Sequence, residues 1–425
     1  MNAEFVESAL KAALDSGRLG EARPVAAFVD TDGVGRTVRA LRSAFPDHFL
    51  HAFAAKANPM KAALELVRDH GMACEVASPG ELEQALKAGF DSGQIVYDEP
   101  AKTESILRRA LELGININID NFQEFDRLER LVGDGLPGAA VGFRLNPQVG
   151  MGAISAMSTA TATSKFGVAL EDAGNRERLL ECYLRHEWLN AVHVHVGSQG
   201  CELGLMIAGI RKTVDLAQQV NAAAGKQRIT VIDIGGGLPV NFDSEAVSPT
   251  FDEFAAALER AVPELFSGEY RVITEFGRSI LAKNGFMAAR VEYTKSAGGR
   301  PIALTHAGGQ VATRTVFMPE SWKLRLSVHD AGGYLKQGET IAQDVGGPLC
   351  FAGDLVGAER QLPRIEPGDY IVLHDTGAYY FSNPFYYNVL PAPAVYGVQG
   401  RNDGSVHLLA WRRQQTMEQT LAVIG

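Results

Sequence analysis

Residues 73–89 read ACEVASPGELEQALKAG, a short apolar run that passes directly into a helical pattern of apolar and charged residues. Ser78 and Glu81 have the spacing of a capping box, and Pro79 occupies the first helical position. Gly89 follows the pattern where a left-handed C-terminal cap is expected. One strand followed at once by one capped helix is the repeating unit of a parallel α/β fold.

The same unit recurs along the chain from about residue 50 to about residue 285. Eight strand-like runs alternate with helical patterns: LHAFAAK (50–56), ACEVA (73–77), QIVYD (94–98), ININID (115–120), AVGFRLN (140–146), AVHVHVG (191–197), ITVIDIGGG (229–237) and YRVITEFG (270–277). Eight such units predict a (β/α)8 barrel, the TIM barrel. The alternative, an open doubly wound sheet, would more often carry GxGxxG after its first strand, where this chain has no such motif.

The pattern changes after about residue 285, where strand-like runs dominate. The sequence therefore predicts a barrel domain over residues 31–285 and an all-β domain, a barrel or a sandwich, over residues 286–425. The N-terminal segment, residues 1–30, ends in the strand-like run VAAFVD (25–30). We expect that segment to contribute its strand to the β-domain.

Composition excludes several classes of protein. The chain has 425 residues, 46% of them hydrophobic and 21% charged, which is typical of a globular protein of more than one domain. The net charge of −10 argues against a nucleic-acid partner, and no apolar run has the roughly 18 residues of a membrane span. The acidic, amphipathic N-terminus does not resemble a signal peptide, and four scattered cysteines suggest neither disulfides nor a zinc site. We expect a cytoplasmic protein with no membrane partner.

The C-terminal ends of barrel strands carry the chemistry in this fold. The eight runs place an unusual set of residues there: Lys56, Glu75, Arg144, His193, His195, Ser198, Gly235, Gly236, Gly237, Glu275, Gly277 and Arg278. Lys56 is either a strand-end lysine that reaches solvent or a desolvated nucleophile. The glycine run is either a tight turn or a phosphate site, and its position after the seventh strand favours phosphate.

The two histidines of the sixth run have different interpretations. His193 is read as a satisfied core histidine, whereas His195, nearer the rim, could stack on a flat ligand. No third ligand lies at short spacing from the two histidines, so the pair does not indicate a metal site. A lysine able to form a Schiff base, a glycine-rich phosphate site with Arg278 as counter-charge, and an acid together describe pyridoxal 5'-phosphate. Glu275 would then pair with the ring nitrogen.

The chain resembles a known family, the fold-type III pyridoxal-phosphate decarboxylases that include diaminopimelate and ornithine decarboxylases. The resemblance covers roughly residues 25 to 400. It is carried by AAKANP (54–59), EVASPGELEQALKAG (75–89), SKFG (164–167), HVHVGSQ (193–199), DIGGGLP (233–239), EFGRSILAKNG (275–285), GPLCFAGD (347–354) and GAYYFSNPFYYN (377–388). It implies an alanine racemase-like architecture, a TIM barrel followed by a β-domain.

The resemblance implies a role for each matching residue. Lys56 would hold the cofactor covalently, with Glu75 and Arg144 close by, His195 against the ring and Glu275 at the ring nitrogen. The phosphate would be bound by Ser198, Gly235, Gly236, Gly237, Gly277, Arg278 and Tyr379. Cys350 and Asp354 would reach the active site of the other subunit of a homodimer. Lys56, His195, Glu275 and Cys350 would be the catalytic residues, with Cys350 as the proton donor after decarboxylation.

Two positions depart from the family pattern. Phe351 replaces the acid that usually follows the cysteine, and Arg314 could fill the role of a substrate-binding arginine although Met318 stands where a tyrosine is usual. We therefore expect an amino-acid decarboxylase whose substrate carries a distal carboxylate, such as a siderophore or secondary-metabolite conjugate. Its contacts would be Arg314, Phe351, Asp354 and Tyr379.

Three alternatives stay open at this stage. The first is diaminopimelate decarboxylase of lysine biosynthesis. The second is an amino-acid racemase, although alanine racemases of this fold place an arginine where this chain has Glu275, which leaves the ring a poorer electron sink. The third is a non-catalytic regulator that keeps only the fold.

Overall fold

The computed structural model describes residues 2–132, 138–401 and 403–425, and the chain divides into two compact units. The barrel unit comprises Thr37–Pro239 and Ser248–Ser279. The sheet unit comprises the chain up to Arg36 together with Val240–Val247 and Ile280–Gly425. In the described residues, no helix has both the length and the apolar character needed to cross a bilayer.

The barrel unit contains a closed sheet of eight parallel strands, which confirms the predicted fold. Each strand pairs with the next one along the chain, and the eighth pairs with the first. The strands are Phe49–Ala54, Ala73–Val76, Ile95–Tyr97, Asn116–Ile119, Val141–Asn146, Ala191–Val194, Val231–Asp233 and Arg271–Phe276. A short extra strand, Val168–Ala169, pairs with the fifth.

A helix follows each barrel strand, and the helix Thr31–Ala44 precedes the first. The eight helices are Lys61–Asp69, Pro79–Lys87, Glu104–Leu113, Phe122–Val132, Asn175–Arg185, Leu203–Ala224, Phe251–Ala261 and the short Arg278–Leu281. The Ser78 hydroxyl accepts the backbone N–H of Glu81 as predicted, but the Glu81 carboxylate accepts the N–H of Ala77 instead of closing the capping box. Gly89 has φ of +86°, the left-handed cap that the sequence indicated.

Small apolar side chains fill the barrel near the N-terminal ends of the strands. The residues of this layer are Ala52, Ala73, Val96, Ala140, Ala191, Val231 and Ile273, all buried. Polar side chains occupy the barrel at the opposite, C-terminal ends, including the fully buried Glu75 and His193. In this fold the N-terminal end of the barrel usually contributes to stability, and the C-terminal end carries the residues of the active site.

The sheet unit is built mostly of strands, as predicted. Its strands are Val25–Asp30, Gly285–Ala297, Arg300–Thr305, Leu326–His329, Thr340–Gly346, Leu355–Pro363, Tyr370–Leu373, Ala394–Gly400 and Val406–Arg412. Three helices accompany them, Ala3–Asp15, Gly309–Phe317 and Met417–Ile424. The N-terminal helix buries Val6 and Leu10 in a cluster with Phe28 and Phe286, whose rings stack 4.8 Å apart.

The strand Val25–Asp30 pairs antiparallel with Gly285–Ala297 and parallel with Ala394–Gly400. This N-terminal strand therefore belongs to the same sheet as strands from the C-terminal part of the chain, as predicted. The predicted domain boundaries, 30/31 and 285/286, lie within six residues of the limits of the two units, whereas the short segment Val240–Val247 of the sheet unit had no counterpart in the prediction. The boundaries as stated stay a prediction.

Candidate active site

Lys56 lies just after the first barrel strand, in the single turn of 3-10 helix Ala55–Ala57. Its Nζ is 2.6 Å from both carboxylate oxygens of Glu75, whose side chain is fully buried at the end of the second strand. Burial raises the pKa of Glu75 to about 7, although the neighbouring amine opposes that shift. The lysine is thus held at the barrel mouth beside a group that can take or return a proton near neutral pH.

Arg144 and Asp98 form a buried ion pair, with Nη1 of the arginine 2.6 Å from Oδ2 of the aspartate. The guanidinium also lies 4.4 Å from the ring centre of Phe166. Burial alone would raise the pKa of Asp98, but Arg144 and His193 outweigh it and hold that pKa below its usual range. Asp98 is missing from the predicted site, although it ends the third strand-like run as Glu75 ends the second.

His193 is buried, but its surroundings are ionic and not apolar. Its Nδ1 is 3.2 Å from Oδ1 of Asp233 and 4.0 Å from Oε1 of Glu275, and its Nε2 is 3.6 Å from Oδ2 of Asp98. In the described part of the chain, neither ring nitrogen completes a hydrogen bond of good geometry. The reading of His193 as a satisfied core histidine is therefore wrong, because three carboxylates from other strands converge on it.

His195 presents a neutral ring. Its Nδ1 accepts the backbone N–H of Gly236 at 3.2 Å, so a neutral ring carries its proton on Nε2. Burial, together with the positive charges of Arg144 and Lys56, holds the pKa of His195 well below its usual range. A neutral, half-buried imidazole fixed by its own loop is suited to stack on a flat ring.

The glycine run after the seventh strand passes very close to neighbouring backbone. A Cβ at Gly236 would lie 2.0 Å from the carbonyl oxygen of Glu275, and one at Gly237 would lie 1.9 Å from that of Gly197. Both positions leave no room for a side chain, so a ligand could approach the backbone of this loop closely. Nη2 of Arg278 donates to Oγ of Ser198 at 3.4 Å.

These residues fit the cofactor that the sequence predicts. Glu275 is buried, and its Oε1 has no hydrogen-bond partner among the described residues, so a ring N–H would satisfy it. Ser198 and Arg278 carry hydrogen-bond donors suited to a phosphate, and the crowded glycine run would let that phosphate approach the backbone closely. Lys56 supplies the amine that reacts with an aldehyde. The assignment of each residue to the cofactor stays a prediction.

The predicted residues of the sheet unit are found in two groups. The guanidinium of Arg314 lies 4.5 Å from the ring centre of Tyr379 and 5.1 Å from that of Trp322, a cation–π arrangement that fixes the arginine head. Tyr379 itself has φ of +66°, an unusual backbone conformation for a non-glycine residue. Arg314 and Tyr379 are thus neighbours, as their shared predicted role requires.

The second group surrounds Cys350, which is exposed. Its backbone N–H donates to Oδ1 of Asn388 at 2.8 Å, and the adjacent Phe351 stacks on Phe317 at 5.4 Å. Asp354 is buried, and its two carboxylate oxygens accept the N–H groups of Gly309 and Leu349 at 2.6 and 2.7 Å. Asp354 therefore fixes the loop; its substrate contact stays a prediction.

Comparison with known proteins gives a consistent result. The family described as "Pyridoxal-dependent decarboxylase, pyridoxal binding domain" matches residues 31–282. Diaminopimelate decarboxylase of Methanothermobacter thermautotrophicus is 30% identical, over 80% of this chain and 78% of the relative, and that of Aquifex aeolicus is 28% identical, over 88% and 85%. The crystal structure of diaminopimelate decarboxylase from Helicobacter pylori complexed with L-lysine is 25% identical, with a TM-score of 0.82 over 96% of this chain and 98% of that chain.

Proposed function

Because the chain belongs to the pyridoxal-dependent decarboxylase family, it is a pyridoxal 5'-phosphate enzyme that decarboxylates an amino acid, and we propose that this amino acid is diaminopimelate. The observation that carries the proposal is the similarity, over more than three quarters of the chain, to relatives named diaminopimelate decarboxylase. The reaction removes one of the two α-carboxylates of the substrate and leaves lysine.

The siderophore or secondary-metabolite conjugate expected from the sequence has no support among the relatives. Its physical basis, the loss of an acid at Phe351 and the presence of Arg314, is compatible with diaminopimelate, because this diamino diacid also carries a carboxylate at its far end. We propose that Arg314, fixed by Tyr379 and Trp322, pairs with that distal carboxylate. The aromatic Phe351 offers no counter-charge to the distal ammonium.

The residues of the barrel unit have separate tasks in this proposal. Bound pyridoxal 5'-phosphate supplies an aldehyde for the amino group and a ring that takes up the electron pair left when carbon dioxide departs. Lys56 would hold the cofactor through its Nζ, the amine that reacts with an aldehyde. Glu75, with its pKa of about 7, receives and returns protons at the Lys56 Nζ. Neutral His195 covers one ring face without adding a charge.

The racemase and the non-catalytic alternatives have less support. If Glu275 faces the ring nitrogen, its carboxylate would keep that nitrogen protonated. A protonated ring withdraws electrons strongly, which suits decarboxylation. Lys56 and Glu75, the proposed nucleophile and its acid–base partner, are both present and lie 2.6 Å apart, which a non-catalytic regulator would not need. We also propose a homodimer with its active sites at the interface, which the β-domain residues Cys350 and Asp354 would complete. The cytoplasmic location stays a prediction.

The proposed substrate can be tested with the purified holoenzyme. We expect diaminopimelate to be turned over to lysine and carbon dioxide, with kcat/KM at least about tenfold above that for lysine or ornithine, since a missing polar group leaves its partner unpaired. Product mass and carbon dioxide release in equal amounts would measure it. Turnover of ornithine or lysine without turnover of diaminopimelate would contradict the proposal.

Replacing Gly236 by alanine is expected to weaken binding of the cofactor by about ten- to a hundredfold, the effect of losing one charge-assisted hydrogen bond. The new methyl group would meet the carbonyl oxygen of Glu275 and displace the loop. The matched control is Gly204→Ala, because a Cβ at this helical glycine meets no atom within 4 Å. Cofactor dissociation constants measured by absorbance would decide; equal affinity in the two variants would rule out a phosphate role for the glycine run.

A further inference from the structure

We propose that His193 is a positioning residue that neutralises Asp233, so that Glu275 is the ionised carboxylate facing the ring nitrogen of the cofactor. The inference rests on the proposed function, in which the ring nitrogen of the bound cofactor faces Glu275. It assigns a function to two buried groups, His193 and Asp233, neither of which forms an ion pair with Lys56.

The barrel mouth contains more buried acids than fixed cations. The titratable and charged groups around His193 are Glu75, Asp98, Arg144, His195, Asp233 and Glu275. Lys56 lies 2.6 Å from Glu75 and Arg144 lies 2.6 Å from Asp98, so these two acids have their own counter-charges. In the described part of the chain, neither Asp233 nor Glu275 is within ion-pair distance of a lysine or an arginine.

The carboxyl groups of Asp233 and Glu275 are hydrogen-bonded to each other, which requires a proton on one of them, so the two residues compete for one negative charge in this buried site. Asp233 has the advantage, since its oxygens accept the N–H of Gly235 at 2.9 Å and the amide of Asn118 at 3.3 Å. Oε1 of Glu275 has no such donor among the described residues. Left alone, Asp233 would hold the charge and Glu275 the proton.

The direction of the pKa shifts agrees with this order. Burial raises the pKa of Asp233 to about 7, whereas burial and the charge of Asp233 raise that of Glu275 well above its usual range. A protonated Glu275 could not pair with a protonated ring. The ionised form of Glu275 needs a positive charge close to Asp233 to cancel the competing carboxylate.

His193 is the group that can provide this charge. Its Nδ1 faces Asp233 at 3.2 Å, and its Nε2 faces Asp98, which stays ionised beside Arg144. Burial lowers the pKa of His193, and Glu275 and Asp98 oppose that shift, so one proton can be shared between His193 and Asp233. When His193 and Asp233 share one proton in addition to that of the neutral imidazole, the pair has no net charge. The remaining negative charge is then on Glu275.

The test measures the binding of two cofactors by the full chain after removal and return of the cofactor. One probe is pyridoxal 5'-phosphate, and the other is its 1-deaza analogue, in which C–H replaces the ring nitrogen. His193→Gln leaves Asp233 uncompensated and is expected to weaken pyridoxal 5'-phosphate binding by about tenfold, within the range of couplings between contacting groups. The analogue should bind His193→Gln and the unaltered chain equally.

A second substitution distinguishes electrostatics from damage to the fold. Asp233→Asn removes the competing carboxylate, so the single variant should bind pyridoxal 5'-phosphate almost normally and the double variant His193→Gln with Asp233→Asn should regain affinity. Asp120→Asn, a buried acid that accepts the Gly167 N–H, is the matched control and should leave both affinities unchanged.

Two results would overturn the inference: an equal loss for both probes in His193→Gln, or a double variant no better than His193→Gln. Failure of the unaltered chain to bind pyridoxal 5'-phosphate at all would instead overturn the proposed function, so the two failures are distinguishable. The absorbance of the bound cofactor as a function of pH gives an independent reading. His193→Gln should lose the protonated ring at lower pH than the double variant does.

Discussion

Replacing Lys56 by alanine is expected to lower kcat/KM for diaminopimelate by about 10³–10⁴-fold, the combined effect of a lost nucleophile and a lost proton-transfer group. Lys56 is the lysine that we propose to bind the cofactor aldehyde. The variant should still fold. Glu75 then loses its cation, but a buried carboxyl whose pKa is already raised to about 7 takes up a proton instead of remaining charged.

The measurement combines kinetics with mass spectrometry. Borohydride treatment should fix a pyridoxyl group on the peptide carrying Lys56 in the unaltered chain and leave the Lys56→Ala peptide unmodified. Lys61→Ala is a matched control, because Lys61 is an exposed lysine five residues away that pairs with Glu65. Its activity should be unchanged. A reduced cofactor found on another lysine of the unaltered chain would contradict the assignment.

The fold could be predicted because its signals are local. Each barrel strand is a short apolar run, and each helix that follows has its own periodicity and caps, so eight units are visible without any knowledge of long-range contacts. Parallel strands in a barrel also bring their C-terminal ends to one rim. That rule alone predicts that Lys56, Glu75, Arg144 and Glu275 lie at one rim of the barrel.

The ion-pair partners could not be predicted in the same way. Asp98 and Asp233 end or adjoin strands just as Glu75 does, but their significance lies in which side chain of another strand they meet. That depends on the register of the closed sheet, which is not encoded locally. The strand-end rule, applied to the third run, does point to Asp98, which ends that run. The surroundings of His193 could not be predicted, because the residues beside it in the sequence do not show which side chains of other strands face it.

The β-domain was predicted less completely for a related reason. Arg314 lies on the helix Gly309–Phe317, and its guanidinium is fixed by aromatic rings that come from different parts of the chain. Asp354 accepts two backbone N–H groups, a role that depends on loop geometry and leaves no trace in residue type. Sequence motifs placed these residues in a common group without showing which contacts they make.

Replacing Cys350 by alanine is expected to lower lysine formation by about 10²–10⁴-fold, the usual contribution of a positioned general acid. The side chain of Cys350 is exposed, so its thiol is accessible. The backbone N–H of the same residue donates to the Asn388 side chain, which holds the loop in place. Cys182→Ala, at a buried cysteine of the helix Asn175–Arg185, is the matched control and should retain activity.

Mixing the two inactive variants tests whether each active site draws on two subunits. If Lys56 of one protomer works with Cys350 of its partner, each mixed dimer of Lys56→Ala and Cys350→Ala contains one intact site and one doubly altered site. Random exchange of equal amounts makes half of the dimers mixed, so activity should return to roughly a quarter of that of the unaltered enzyme. If both residues served the same protomer's site, mixing would restore nothing, because every site would carry one substitution. Native mass spectrometry of the mixture, with one variant isotopically labelled, would establish that exchange had occurred before activity is compared.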